Sequence, residues 1–309
     1  MLGIMDAIKP FRPVYLRSYK EGLLQEKISE LYDNIDNCSL CPHNCRVNRR
    51  ESPTGQCQSG DRPLISSFCA HFGEESPLVG IRGSGTIFFA NCNLSCVFCQ
   101  NYDISQYGIG EEISHSRLAE IMIHLQNIGC HNINFVSPTH MVYSILNALP
   151  EAIDMGLKIP LVYNSGGYDL SSTIKLLDGV FDIYMPDMKY MDNRIAKKYS
   201  GADNYVEFAT ESIVEMHQQV GDLVVDQMGI ARRGLIIRHL IMPGNISDTK
   251  KVIDFVRSLS SNTYFNLMDQ YHPAYQANDY EFLNRRITSK EYQEAYDYAI
   301  YVGLNQLAV

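Results

Sequence analysis

Three cysteines close together carry the clearest chemical signal in the sequence. Cys92, Cys96 and Cys99 lie in the run CNLSCVFC, separated by three and then two residues. One loop with this spacing can wrap a cubane cluster and offer it three thiolates from one side. Iron–sulfur clusters usually take four cysteines, so three would leave one iron free to bind a substrate or cofactor. The alternatives are a zinc site completed by a ligand from elsewhere in the chain and chance clustering.

A second group of four cysteines lies nearer the N-terminus. The group is Cys38, Cys41, Cys45 and Cys57. Pro42 and Gly55 favour the turns that thiolate sites need, and backbone amides in such turns can hydrogen-bond sulfur. Four thiolates suit tetrahedral zinc or an iron–sulfur cubane, and the spacing does not decide between a structural zinc site and an auxiliary cluster. The remaining two cysteines, Cys69 and Cys130, are expected to be small buried apolar residues.

Composition and charge indicate the setting in which these cysteines work. The chain has 309 residues, a net charge of −9 and nine cysteines. No apolar run is long enough to span a bilayer, and the N-terminus lacks the apolar segment and cleavage site of a signal peptide. We therefore expect a cytoplasmic protein without membrane contact, whose clustered cysteines bind metal rather than form disulfides. The acidic balance also disfavours a nucleic-acid partner.

The elements that must position the cysteines alternate along the chain from about residue 84. Short β-branched or aromatic runs predict strands at 86–90, 133–136, 161–164, 182–185, 235–242 and 264–268. Helical patterns lie at 16–34, 118–129, 141–156, 172–177, 249–259 and 292–304, and a hairpin is predicted at 221–234. This alternation predicts right-handed βαβ units and a parallel sheet. Ligands bind at the carboxyl ends of such strands, and Cys92 comes directly after the first.

The run CNLSCVFC resembles the C-x3-C-x2-C signature of the radical S-adenosylmethionine (SAM) superfamily, with Phe98 at its usual aromatic position. The resemblance implies an α/β fold, a partial (βα)6 TIM-like barrel over residues 81–309, with a Cys-rich N-terminal extension over 1–80. It also implies that Cys92, Cys96 and Cys99 hold a [4Fe-4S] cluster whose open iron chelates SAM, while Phe98 packs by the adenine. One electron would then cleave SAM, and the 5′-deoxyadenosyl radical would abstract a hydrogen atom.

Residues 38 to 290 resemble one branch of that superfamily, the uncharacterised relatives of pyruvate formate-lyase-activating enzyme. The segments that carry the resemblance are Ser165-Gly166-Gly167, Met185-Pro186-Asp187-Met188-Lys189, Arg238-His239 and Pro243-Gly244. By resemblance, Asp187, Lys189, Arg238 and His239 are SAM-site candidates. Where many members have Gly-Gly-Glu-Pro after the second strand, this chain has Ser137-Pro138-Thr139-His140. At this departure from the family pattern, the backbone could still accept the hydrogen bond of the methionyl amino group, with Thr139 or His140 replacing the acidic side chain. Ser137 and Thr139 are therefore further SAM-site candidates.

The expected function is an enzyme that cleaves SAM reductively and takes hydrogen from an unidentified substrate. The resemblance implies an electron donor such as flavodoxin or ferredoxin, and a substrate that is either a small molecule or a protein glycine, as for a glycyl-radical-enzyme activase. Tyr271 and His272, after the sixth strand, could bind substrate or donate hydrogen. The alternative is a non-catalytic iron–sulfur or zinc protein that carries electrons, although a carrier does not need the SAM-like segments at successive strand ends.

Overall fold

The computed structural model describes residues 11–51 and 55–308. Residues 1–10, which form the start of the segment considered above for a signal peptide, lie outside the described residues, as do 52–54 and 309. Within the described ranges, no helix has both the length and the apolar character needed to cross a bilayer.

The described residues form a single extended sheet flanked by helices. Its strands are β1 (Leu64–His71), β2 (Ser84–Phe89), β3 (Glu111–Glu112), β4 (Ile133–Val136), β5 (Leu161–Ser165), β6 (Ile183–Pro186), β7 (Val224–Val225), β8 (Ala231–Leu240), β9 (Tyr264–Met268) and β10 (Gln306–Leu307). The helices are α1 (Tyr15–Lys20), α2 (Leu23–Asp36), α3 (Ser76–Val79), α4 (Tyr102–Ser105), α5 (His115–Asn127), α6 (Val142–Asp154), α7 (Ser171–Leu176), α8 (Asn193–Ser200), α9 (Tyr205–Val220), α10 (Thr249–Leu259) and α11 (Ser289–Tyr301).

The sheet order confirms the predicted partial (βα)6 barrel. Strands follow one another as β10-β9-β8-β6-β5-β4-β2-β1-β3, with β7 paired to β8 as the predicted hairpin. The six central strands from β2 to β9 are parallel neighbours, and helices connect them. The described sheet ends at β3 and β10 and does not close, so the barrel stays open between these two edges.

Alternation along the strands separates two apolar layers. Outward-facing Phe135, Tyr163 and Phe265 pack among the helices in the larger core. On the inner face, Val162 and Ile236 belong to a smaller cluster that also takes in Leu78 from α3, and α3 therefore packs into the barrel. Burying each such side chain contributes about 1.5–3 kcal/mol relative to exposure. The inner face also carries polar side chains, and these form the candidate site.

The structure differs from the sequence prediction in the first helix, in the extent of the sheet and at Cys69. The predicted helix at 16–34 is two helices, because Gly22 has a φ of 79° and begins α2 as a new helix. Strand β1 pairs antiparallel with β2, so the sheet includes residues before position 81. Cys69 lies on β1 and is exposed, and the expectation of a buried residue was wrong there because that side chain faces solvent; Cys130 is buried as expected.

Candidate active site

The loop of Cys92, Cys96 and Cys99 follows β2 and is held against the end of α8. Ser95 and Val97 donate backbone hydrogen bonds of 2.9 Å each to the carbonyls of Ser200 and Tyr199. The Cys96 sulfur lies 3.0 Å from the Ser200 hydroxyl. Two backbone hydrogen bonds and one side-chain contact therefore hold the loop against the C-terminal end of α8.

The three thiols lie in a setting that suits bound iron, with Cys96 buried and Cys92 and Cys99 half-buried. Burial raises the pKa of Cys92 to about 12 and that of Cys96 to about 11, and the neighbouring thiols add to the effect. The Leu94 amide donates to the Cys92 sulfur at 3.4 Å, and the Ser105 hydroxyl lies 3.0 Å from the Cys99 sulfur. A buried thiolate needs a compensating cation. Three soft sulfur donors with nearby hydrogen-bond donors therefore fit an iron–sulfur cluster.

A buried charged network lies beside this loop, at the ends of β6 and β8. The Lys189 ammonium is 2.5 Å from one carboxylate oxygen of Asp187, and Arg238 donates to the other at 2.9 Å. Arg238 also donates to the Asn164 side chain at 2.6 Å. Burial would raise the pKa of Asp187, but the two cations hold it below its ordinary value. Lys189 opposes part of the rise that burial causes in the pKa of Cys96, so its charge lies near that thiol.

Two glycines after β5 allow the cysteine loop and the charged network to approach each other. A Cβ on Gly166 would lie 2.8 Å from the Leu94 side chain in the cysteine loop. Gly167 has a φ of +79°, and a Cβ there would lie 2.0 Å from the Asp187 carbonyl oxygen. No side chain fits at either position without movement of its neighbours. The Ser165-Gly166-Gly167 segment thus lets the cysteine loop and the backbone at Asp187 pack closely against it.

At the end of β4, the structure gives Ser137 and Thr139 different surroundings. Ser137 has a φ of 56°, an uncommon conformation for a non-glycine residue that often marks functional sites. The Thr139 hydroxyl is buried and donates to Asp169 at 2.7 Å. The Ser165 and Tyr163 hydroxyls donate to the same carboxylate. Sequence analysis missed Asp169, for which only its position shortly after a strand could have been a signal.

His239 does not join the network of Asp187, Lys189 and Arg238. It follows Arg238 on β8 and therefore points to the opposite face of the sheet. One ring nitrogen lies 2.5 Å from the Met188 carbonyl oxygen and the other 3.0 Å from the Thr249 hydroxyl. Both nitrogens are already engaged within the protein, so His239 holds the backbone behind the network.

The aromatic residues near the loop are also buried. Phe98 is 5% exposed, and its ring centroid lies 6.2 Å from that of Tyr271. The Tyr271 hydroxyl donates to the Leu283 carbonyl at 2.6 Å, and the side chain is fully buried. The Tyr271 hydroxyl, considered above as a substrate ligand or hydrogen donor, is therefore already engaged by a buried backbone carbonyl. His272 is partly exposed, and its ring lies 3.1 Å from the Gln100 amide.

The N-terminal cysteines are gathered by tight turns. The Cys38 backbone N–H donates to the Val47 carbonyl, and the Cys38 carbonyl accepts from the Arg46 N–H. The backbone N–H of Gln56 donates to the Cys45 sulfur at 3.4 Å. Burial raises the pKa of Cys41, and the other three thiols raise it further, so the four are near one another. Across residues 11–51 and 55–308, no three His, Cys, Asp or Glu side chains are arranged to hold a single metal ion.

The turns that carry Cys38, Cys41, Cys45 and Cys57 directly contact the loop of Cys92, Cys96 and Cys99. The His43 ring lies 2.7 Å from the Asn93 carbonyl oxygen. Gln56 donates its side-chain amide to the Ser95 hydroxyl at 3.1 Å. The Asn91 side chain donates to the Gln58 carbonyl at 3.1 Å. The three contacts involve loop residues before and after Cys92, so the two cysteine groups lie next to each other.

Glu74 and Glu75, which sequence analysis also missed, reach the same network from the other side. They precede α3, in the segment that packs into the barrel. The Glu74 carboxylate lies 3.6 Å from Arg238. Both residues line a cavity of about 660 Å³ at the open side of the sheet. No periodicity marks them in the sequence, since they lie in a turn between two strands.

Comparison with known proteins identifies relatives of this chain. Residues 86–256 match the Radical SAM superfamily. An uncharacterized protein of Methanocaldococcus jannaschii is 35% identical over 294 residues, which cover 92% of this chain and 80% of the relative.

Two solved structures are distantly similar. The structure of TYW1 with a lysine-pyruvate adduct bound has a TM-score of 0.44 and 11% identity, covering 70% of this chain and 73% of TYW1. The FeFe-hydrogenase maturase HydG from Carboxydothermus hydrogenoformans has a TM-score of 0.47 and 11% identity, covering 95% of this chain and 67% of HydG.

Proposed function

Because this chain belongs to the radical SAM superfamily, we propose that it is an oxidoreductase-type enzyme with a [4Fe-4S] cluster on Cys92, Cys96 and Cys99. The observation that carries the proposal is the buried Asp187–Lys189 pair beside the cysteine loop. When bound, the cluster and SAM supply a reductively generated 5′-deoxyadenosyl radical that abstracts hydrogen from substrate. The protein contributes positioning and the exclusion of water.

We propose that the charged network binds the polar end of SAM. The charge of Lys189 acts on both the Cys92 and the Cys96 thiol, and Lys189 would meet the methionyl carboxylate. Asp187 orients the Lys189 ammonium, and Arg238 in turn fixes Asp187 from the barrel interior. An exposed pair of this kind would contribute only about 0–1 kcal/mol to stability, whereas charged contacts in a water-poor cavity bind a ligand more strongly.

Other candidate residues take supporting parts in this proposal. The strained backbone at Ser137 would present an acceptor to the methionyl amino group. Thr139 would hold the same turn through Asp169. Phe98 would pack by the adenine, since it lies within the cysteine loop. We assign His239 an indirect part, because it holds the Met188 carbonyl between Asp187 and Lys189.

We further propose that Cys38, Cys41, Cys45 and Cys57 form a second metal site, holding zinc or an auxiliary iron–sulfur cluster. The proximity of the four thiols supports it. In either case the site would stabilise the loop of Cys92, Cys96 and Cys99, since His43 and Gln56 make hydrogen bonds to that loop. Iron, zinc and sulfide analysis of anaerobically purified protein distinguishes the two metals, because zinc brings no sulfide.

The proposal also covers the electron donor and the class of substrate. Enzymes of this superfamily take their electron from an external donor, and we propose flavodoxin or ferredoxin in a cytoplasmic setting. A cavity of about 660 Å³ is within the usual range for small-molecule sites, about 300–1,000 Å³. This size favours a small molecule or a single side chain over a long peptide loop. A glycyl-radical-enzyme activase would need a wider opening.

The test is electron paramagnetic resonance of the anaerobically reconstituted, reduced protein. We expect a cluster signal that changes when SAM is added, and formation of 5′-deoxyadenosine with dithionite. Cys96→Ala should abolish both. Cys41→Ala should retain the SAM-responsive signal while total metal content falls. A wild-type signal that ignores SAM, in protein with full iron content, would overturn the proposed function.

A further inference from the structure

The cavity at the open side of the sheet is bounded by the inner face of β9 and by the segment that leads into α3. From β9 it takes Tyr264, Asn266 and Met268, which alternate along the strand and so face the same side. From the other wall it takes Phe72, Glu74 and Glu75. The cavity therefore has a mixed polar and apolar wall that carries two adjacent carboxylates.

Both carboxylates are buried and only loosely paired. The side chains of Glu74 and Glu75 are 7% and 3% exposed, and Arg238 lies 3.6 Å and 3.9 Å from them. The same guanidinium is 2.9 Å from Asp187, which is its close partner. Glu74 is also 3.3 Å from the His71 ring. Burial raises the pKa of Glu74 even with Arg238 nearby.

One carboxylate oxygen of Glu75 has no hydrogen-bond donor among the described residues. The Asn266 side-chain amide donates to Oε1 at 3.0 Å, whereas Oε2 is buried and accepts nothing. A buried acceptor left in this state costs about 1–3 kcal/mol, and more when it is charged. Around Arg238, the three carboxylates of Asp187, Glu74 and Glu75 face the two cations Lys189 and Arg238, so carboxylates outnumber these cations by one.

The cavity also adjoins the cysteine loop. Gln270 lines the cavity, and its carbonyl accepts a hydrogen bond of 3.3 Å from the side chain of Gln100, the residue after Cys99. On its inner side, Arg238 joins the two glutamates to Asp187. A molecule in the cavity would therefore lie between the proposed SAM network and the cluster loop, where a substrate must lie for hydrogen abstraction.

We propose that this cavity binds the substrate through an ammonium or guanidinium group held by Glu75 and Glu74, so that the substrate is an organic cation. The inference rests on the proposed function, whose substrate class it names. A donor from the ligand would satisfy Glu75 Oε2 and balance the excess charge. A metal ion fits less well, because Glu75 Oε1 already accepts a hydrogen bond from the Asn266 amide and part of the wall is apolar.

The experiment uses the full-length, cluster-loaded protein with SAM under anaerobic conditions. The probes are Nα-acetyl-lysine amide, cadaverine as a free amine, the neutral Nα-acetyl-norleucine amide, and magnesium chloride, with binding measured by calorimetry. We expect the lysine or cadaverine probe to bind at least about tenfold more tightly than the norleucine probe. Their ranking shows whether the cation is free or carried on a peptide. Equal binding of charged and neutral probes, or binding of magnesium alone, would overturn the inference.

Variants tie the preference to the carboxylates. Glu75→Gln should abolish the preference for the cationic probe, whereas the matched control Glu120→Gln, an exposed glutamate of α5 paired with Arg117, should retain it. If Glu75→Gln does not fold, Ser76→Arg keeps both glutamates and places a guanidinium at the cavity wall. It should weaken lysine-probe binding, and unchanged binding would refute the inference.

Dithionite-driven formation of 5′-deoxyadenosine without any probe keeps this test separate from that of the proposed function. Its absence from cluster-loaded wild-type protein would count against the proposed function. A wild-type protein that cleaves SAM but does not distinguish the probes would count against the organic-cation site alone.

Discussion

Replacing Gly167 with alanine tests why a glycine is needed at this position. The two possible reasons are the close contact with the Asp187 backbone and the left-handed backbone conformation. The new Cβ would lie 2.0 Å from the Asp187 carbonyl oxygen. Real Cβ contacts require at least about 3 Å, so the backbone at Asp187 must move by roughly 1 Å. A misplacement of that size can cost about 100-fold in positioning at a reaction site. We expect SAM affinity to fall by at least about tenfold, or 1.4 kcal/mol.

The matched control is Gly22→Ala. Gly22 also has a φ of +79°, but nothing lies within 4 Å of its added Cβ. Both variants incur the left-handed penalty of about 1–2 kcal/mol, and only Gly167→Ala adds the clash. Unfolding by denaturant and SAM calorimetry on cluster-loaded protein would compare them. Equal losses of stability in the two variants, with SAM affinity unchanged in Gly167→Ala, would refute this reasoning.

Three further predictions follow from other contacts. Asp187→Ala should weaken SAM binding by at least about tenfold with near-normal iron content, measured by anaerobic calorimetry; unchanged affinity would remove Asp187 from the site. Burial raises the pKa of Asp182 to about 7, so it stays protonated in the folded state where the unfolded chain has already lost the proton. Unfolding free energy should therefore decrease as pH rises from 5 to 7, more steeply than in Asp182→Asn; parallel pH profiles would contradict this. Gln56→Ala should lower iron retention on exposure to a chelator because it loses the bond to Ser95, whereas Gln293→Ala, on the exposed face of α11, should not.

The sequence by itself determined the strand and helix alternation and the residues of the cysteine loop. The period of apolar residues is a local property, so the strands at 133–136 and 264–268 have the predicted bounds. The spacing of Cys92, Cys96 and Cys99 is equally local. The order of parallel strands follows from the handedness of successive βαβ units, and Asp187 and Arg238 could therefore be expected at one end of the barrel.

Only the tertiary structure decided which candidates face the cavity. Arg238 and His239 are adjacent in sequence, but alternation on β8 sends one into the barrel and the other among the helices. Glu74 and Glu75 lie in a turn that no periodicity distinguishes, and they become part of the site because α3 packs into the open barrel. The two cysteine groups adjoin through side-chain contacts between residues 50 and 39 positions apart. Such contacts depend on chain packing at long range, which a local pattern does not encode.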